Sequence, residues 1–198
     1  AEGRMTGLGG QRKMVSVVFT DITGFTSLVE ANTVEDVVEV LNRFFETVVP
    51  VIFKHGGMLD KFLGDGVMAV FGIPDTKDTD PVKAIQCGVD IQKSMQTLKQ
   101  GLEEDGLFPI EVGVGIASGV VLAGNIGTEE QMNYTVIGEP VNLAQRLESI
   151  SSPGEIVVSS VTTGMIPQGS NVDVEFEQMG TIHVKGISRD INPLRIIY

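Results

Sequence analysis

Cysteine is nearly absent from this sequence. Cys87 is the only one in 198 residues, so no intramolecular disulfide can form, and the chain is expected in a reducing compartment. A cysteine-rich zinc site is excluded on the same count. Two histidines, His55 and His183, leave little material for a Ser-His-Asp triad or a His-rich zinc centre. Positive charge is scarce as well. Against 26 Asp+Glu stand 14 Lys+Arg, a net charge of −12, which gives a nucleic-acid backbone nothing to hold. No apolar run approaches the roughly 18 to 20 residues that cross a bilayer, and the N-terminus lacks the basic-then-apolar pattern of a secretion signal. A phosphate-cradling GxxxxGK(S/T) loop is missing, and Gly113-Val114-Gly115 lacks the third glycine of a dinucleotide fingerprint. Phosphate chemistry, if any, must therefore use metal ions.

What is present suits one globular domain, since 42% of the residues are hydrophobic and 20% charged. Residues 1–11, with Gly3, Gly7, Gly9 and Gly10, read as a linker or frayed terminus, and the domain is expected over residues 12–198. The chain begins at Ala1 and not at a start Met, which suggests a piece of a longer parent. Residues 14–20 (MVSVVFT) read as a strand buried on both faces, with Asp21 at its end. Thr33 can cap a long amphipathic helix whose apolar positions run from Val34 to Ile52 in steps of three and four, with Pro50 placed to kink its last turn. Residues 58–63 and 67–71 form a hairpin, with Asp65-Gly66 as the tight turn. Asp80 as N-cap and Pro81 as first residue open a second helix. The period then changes to two at Ile110, Val112, Val114 and Ile116, and Ser118-Gly119 is expected to turn the chain into a further strand at 120–123. A strand at 134–137, a helix at 139–149, and strands near 156–158, 172–176, 181–184 and 193–197 complete the chain. The predicted fold is α+β: a ferredoxin-like split βαβ core with an antiparallel sheet and a C-terminal α/β extension.

In that topology the first strand lies antiparallel beside the second strand of the hairpin, which brings Asp21 and Asp65 together at one sheet edge. Two carboxylates with a glycine on each side of Asp65 are what a magnesium pair needs: hard oxygen ligands and bare backbone for phosphates to approach. Spacing alone leaves a plainer alternative open, in which Asp65 fills a turn and Asp21 caps the short helix containing Phe25 and Leu28. On the later helix Asn142 and Arg146 are four apart and share a face fit for a ribose and a phosphate, or else form a solvated face with Arg146 paired to Glu139.

The wording of three segments is more specific than their spacing. Residues 18–26 (VFTDITGFT), 59–72 (LDKFLGDGVMAVFG) and 134–147 (YTVIGEPVNLAQRL) together resemble the class III nucleotide cyclase catalytic domain, bacterial adenylate cyclases in particular. The resemblance covers nearly the whole chain. It implies that Asp21 and Asp65 hold two divalent metal ions (Mg²⁺ or Mn²⁺), with the Ile22 carbonyl as a further ligand. It implies that Asn142 orients the ribose, that Arg146 stabilises charge developing on the α-phosphate, that Lys185 meets the terminal phosphates, and that Gly24 and Phe25 contact substrate. Lys61 and Thr135 fall where the family reads the base. A lysine suits the ring nitrogen of adenine, where guanylate-forming members commonly place a glutamate; Thr135 departs from the aspartate of many animal adenylate cyclases and matches a threonine of bacterial members.

The expected activity is accordingly conversion of ATP to 3′,5′-cyclic AMP and pyrophosphate by a head-to-tail homodimer with sites at the interface. No nucleic-acid partner is expected. Regulatory domains are expected in a longer parent, which could be membrane-anchored although this domain would be cytoplasmic. The rival readings are a guanylate cyclase and a catalytically silent nucleotide-binding dimerisation module. Diguanylate synthesis would need a GGDEF-like turn, which Gly64-Asp65-Gly66 is not.

Overall fold

The computed structural model describes residues 10–128, 130–183 and 189–198. Its elements are β1 (Gln11–Ile22), α1 (Phe25–Ala31), α2 (Val34–Lys54), β2 (Met58–Leu63), β3 (Gly66–Phe71), α3 (Asp80–Glu104), β4 (Val112–Gly127), β5 (Met132–Ile137), α4 (Glu139–Ser149), β6 (Ile156–Val158), α5 (Ser160–Gly164), β7 (Glu175–Gln178) and β8 (Leu194–Ile197). Strand β1 takes in Gln11, within the segment expected as a linker.

Helix α2 starts as its sequence predicts: the Thr33 hydroxyl oxygen accepts the Asp36 N–H at 3.2 Å and donates in turn to the Asp36 carboxylate. Its buried stripe is Val37, Val40, Phe44, Val48 and Ile52, whereas Val34 and Val38 stay exposed, and the helix runs through Pro50 to Lys54. Each buried member of that stripe stabilises the fold by roughly 1.5 to 3 kcal/mol relative to exposure. Helix α3 begins one residue earlier in its cap than expected. Thr79 is the N-cap, and Asp80 lies inside the helix with its carboxylate accepting the Lys77 N–H at 2.6 Å.

The strands form one eight-stranded sheet in the order β2-β3-β1-β4-β6-β8-β7, with β5 paired to β4. Strand β1 is antiparallel to both β3 and β4, so the first four strands make the split βαβ core. Among the described residues the single parallel pairing is β4 with β6. Even-numbered side chains of β1, such as Val18 and Ile22, pack with α2 and α3, and odd-numbered ones, Val15, Val17 and Phe19, pack with α4 residues Leu143, Ala144 and Leu147.

Three expectations are corrected. Ser118-Gly119 is not a turn but the middle of the 16-residue β4, where the Ser118 hydroxyl meets that of Ser16 at 2.7 Å and a side chain on Gly119 would collide with Pro140. The hairpin turn is Gly64-Asp65 and not Asp65-Gly66: Leu63 pairs with Gly66, and Gly64 takes φ +67°, as the first central residue of a type II′ turn must. In the C-terminal part, α5 is an element beyond the expected ones, the strand at 172–176 is displaced to Glu175–Gln178, and of the one expected at 181–184 the described residues 181–183 hold a bridge between Ile182 and Ile191, residue 184 lying outside the described residues. Among the described residues, no helix is long and apolar enough to cross a membrane.

Candidate active site

Asp21 occupies the carboxyl end of β1, next in the odd-numbered row after Phe19. Both of its cross-strand partners are glycines, Gly66 on β3 and Gly113 on β4. The two glycines make the corner possible. A Cβ on Gly66 would lie 2.5 Å from the Asp21 Oδ1, and one on Gly113 would run into the Ser151 hydroxyl. The Ile22 N–H donates to the Asp65 carbonyl at 3.3 Å, tying the end of β1 to the hairpin turn. Topology therefore brings together Asp21 and Asp65, 44 positions apart, as the spacing predicts. Asp21 does not cap α1, whose N-cap is Gly24 at φ +70° with no side-chain cap.

Burial pushes the Asp21 carboxyl up to about 6, the Asp65 charge adds to the rise, and the Ile22 backbone N–H opposes it. A third carboxylate feels the charge of this corner. Glu148, near the end of α4, is pushed up to about 7 by burial and by the charges of Asp21 and Asp65. The sequence reading passed over it, although a signal was there. Glu148 stands four residues after the fully buried Ala144, on the side of α4 that faces the sheet. A Cβ on Gly115 would clash with the Ala144 carbonyl and the Glu148 backbone, so β4 glycines let α4 approach closely enough to put Glu148 there.

Asn142 and Arg146 project from the outer side of α4, both exposed. Arg146 makes no ion pair among the described residues, and Glu139, its expected alternative partner, binds Arg189 at 2.6 Å instead. Neither residue hydrogen-bonds to the carboxylate corner of the same chain among the described residues. Lys61 and Thr135 do meet: the Lys61 ammonium donates to the Thr135 hydroxyl oxygen at 3.0 Å, across β2 and β5. Phe25 is half-buried against the α2 and α3 side of the core. Lys185 lies outside the described residues.

The donor set at the corner fits a hard divalent cation: oxygen ligands only, partly buried, with mutual repulsion that a cation would relieve. Among the described residues no group of three or more His, Cys, Asp or Glu side chains is arranged to hold a metal. The fit therefore rests on Asp21, Asp65 and the adjoining Ile22 carbonyl.

The family profile described as the adenylate and guanylate cyclase catalytic domain matches residues 10–194. The chain belongs to that family. Among solved structures, the cyclase domain is similar to the adenylyl cyclase CyaB of P. aeruginosa, with a TM-score of 0.90 and 38% identity, covering 96% of this chain and 97% of that one. It is also similar to the guanylyl cyclase Cya2, with a TM-score of 0.89 and 36% identity over 96% of this chain and 94% of that one. An uncharacterized protein of Mycobacterium bovis is 40% identical over 162 residues, which are 81% of this chain and 28% of that protein. The cyclase domain thus spans little more than a quarter of the length of the curated relatives it matches. Domains of this family act on nucleotide substrates with the help of divalent metal ions and are commonly dimeric.

Proposed function

We propose that the domain converts ATP to 3′,5′-cyclic AMP and pyrophosphate, at sites shared between two copies of the chain. The observation that carries the choice of ATP is the 3.0 Å contact of Lys61 with Thr135. An ammonium has only hydrogens to give, which suits the acceptor N1 of adenine, and a hydroxyl beside it can accept from the adenine 6-amino group. Guanine in the same pose would present a donor at N1 and an acceptor at position 6. The relatives named above form both products, so the base-reading pair supports the adenylate reading more than the likeness does.

Asp21, Asp65 and the Ile22 carbonyl are the residues suited to hold two Mg²⁺ or Mn²⁺ ions. Metal ions held by these residues would supply Lewis-acid chemistry, lowering the pKa of the ribose 3′-hydroxyl and offsetting phosphate charge. Asp21 assists the loss of the hydroxyl proton. Asn142 orients the ribose so that its 3′-oxygen lies in line with the leaving pyrophosphate; the new bond joins that oxygen to the α-phosphorus as the α–β anhydride bond breaks. Arg146 meets the charge that develops on the α-phosphate, Lys185 the terminal phosphates, and Gly24 and Phe25 lie beside them.

Each chain carries both the metal-holding pair and the base, ribose and phosphate contacts, and among the described residues Lys61, Asn142 and Arg146 make no hydrogen bond or ion pair with Asp21 or Asp65. The exposed Asn142 and Arg146 are therefore read as completing the site of a second copy. The exposed apolar residues Val120 and Leu122 on β4 with Ile137 on β5, where Leu122 and Ile137 are register partners, support such a dimer face. The domain is read as cytoplasmic and attached to regulatory domains in a longer parent.

Product analysis on the purified domain, with ATP or GTP in Mn²⁺ and in Mg²⁺, tests this reading. Cyclic AMP as the main product is expected. A higher kcat/KM for GTP would establish the guanylate alternative, and no product from either nucleotide with both metals would leave a silent module.

A further inference from the structure

Behind the Lys61–Thr135 contact stands a residue that the substrate reading does not use. The Asp60 side chain is fully buried, with 0% of its surface exposed, and one of its oxygens serves both members of the pair. Oδ2 accepts the Thr135 hydroxyl hydrogen at 2.9 Å and lies 3.1 Å from the Lys61 ammonium. The other oxygen, Oδ1, is buried with no hydrogen-bond partner among the described residues.

The backbone explains how neighbours in a strand reach the same target. Successive strand residues normally point to opposite faces. Between Leu59 and Lys61 the pairing of β2 with β3 slips, Leu59 opposing Ala69 and Lys61 opposing Met68, so Asp60 is the extra residue of a bulge. A bulge re-aims side chains, and here Asp60 and Lys61 both arrive at Thr135 on β5. As a stabilising device the arrangement is poor: it buries a carboxylate with one oxygen orphaned, a cost that an apolar residue would avoid.

What the carboxylate does do is fix a direction. A hydroxyl has one hydrogen and two lone pairs. With its hydrogen given to Asp60 and one lone pair taken by Lys61, Thr135 has only an accepting lone pair left for a ligand. We propose that Asp60 is a specificity-determining positioning residue: its buried carboxylate, by holding the Thr135 hydroxyl hydrogen and the Lys61 ammonium, presents an acceptor beside a donor, the complement of the adenine edge and the inverse of what guanine needs. The inference rests on the base reading proposed above and deepens it. Without Asp60 the Thr135 hydrogen is free to turn outward and donate to the 6-oxo group of guanine, and Lys61 loses the anion that holds it in place.

The test is the ratio of kcat/KM for ATP to that for GTP, measured with Mn²⁺ on the purified domain and on Asp60→Ala, Asp60→Asn and Thr135→Val variants. Asp60→Val is made in parallel, and of the Ala and Val variants the one that keeps the wild-type circular dichroism spectrum is read. Loss of the acceptor is expected to lower the ratio about tenfold, carried by a raised KM for ATP. Asp60→Asn, which keeps an oxygen for the Thr135 hydroxyl, should retain most of the preference. In a Thr135→Val background the removal of Asp60 should lower the ratio by clearly less than it does with Thr135 present, because only its hold on Lys61 is left to lose. A folded variant whose ratio is unchanged, or in which ATP and GTP turnover fall together, overturns the proposal, as does an undiminished effect in the Thr135→Val background. A wild-type domain that prefers GTP overturns the base reading itself, a failure distinct from wild-type ATP preference that survives the loss of Asp60.

Discussion

Asp21 is held where its charge is unwelcome, at a half-buried strand end facing Asp65 and near Glu148. A carboxyl whose pKa is raised by folding binds its proton more tightly in the folded state, so between the usual carboxylate range and about 7 the folded chain carries more protons than the unfolded one. Stability contributed by these groups is therefore present at acid pH and is lost as pH rises through about 6 to 7. In EDTA, Asp21→Asn and Glu148→Gln should each gain melting temperature relative to wild type as pH goes from 5 to 8. A difference that stays flat or reverses over that range would remove the strain from this corner. Asp21→Ala or Asp65→Ala should abolish turnover while leaving the fold intact, since each deletes an oxygen ligand and relieves repulsion; more than a few per cent of wild-type activity at saturating Mn²⁺ would defeat the metal assignment. Arg146, exposed and without an ion pair among the described residues, has no structural role to lose. Its change to Ala is expected to lower kcat by about 10²-fold or more with little change in KM or melting temperature, whereas an effect on KM alone would make it a binding residue.

At the scale of elements, the site depends on how closely α4 approaches β4. Gly115 lies directly beneath the α4 backbone, with no room for a methyl group. Gly115→Ala should cost about 3 kcal/mol in urea unfolding, the upper range for overpacking, because the clash is with backbone that cannot rotate away. Gly101→Ala, inside α3 with open space around its Cβ, should instead stabilise by about 0.5 to 1 kcal/mol. A Gly115→Ala variant as stable as wild type would show that α4 does not approach β4 as closely as the structure has it. The same glycines show what the sequence could and could not say. Periodicity and caps located α2 and α3, and the split βαβ order put Asp21 against Asp65. Ser118-Gly119 looked like a turn because its residues favour one locally, whereas Gly119 is there to pass beneath Pro140, a contact made 21 positions away. Glu148 and Asp60 were missed for the same reason. Glu148 resembles any polar residue near a helix end, and Asp60 any charged strand residue, until folding places the first beside two carboxylates and the second beneath Thr135.

For the whole molecule, the proposed reading turns on one chain carrying both half-sets without contact between them among the described residues: Asp21 at the end of β1 with Asp65 in the β2–β3 turn, and Lys61, Asn142 and Arg146 elsewhere. A site shared between chains is a property of pairs, which no single-chain variant can reach. The measurement that tests it most directly is complementation. Asp21→Ala chains mixed with Arg146→Ala chains form heterodimers in which one composite site carries both defects and the other carries neither. With random pairing half the dimers are mixed and each has one intact site of two, so cyclase activity from two inactive parents should rise to at most about a quarter of wild type. If exchange into heterodimers is verified and the mixture stays inactive, the sites are not shared between chains and the account is wrong.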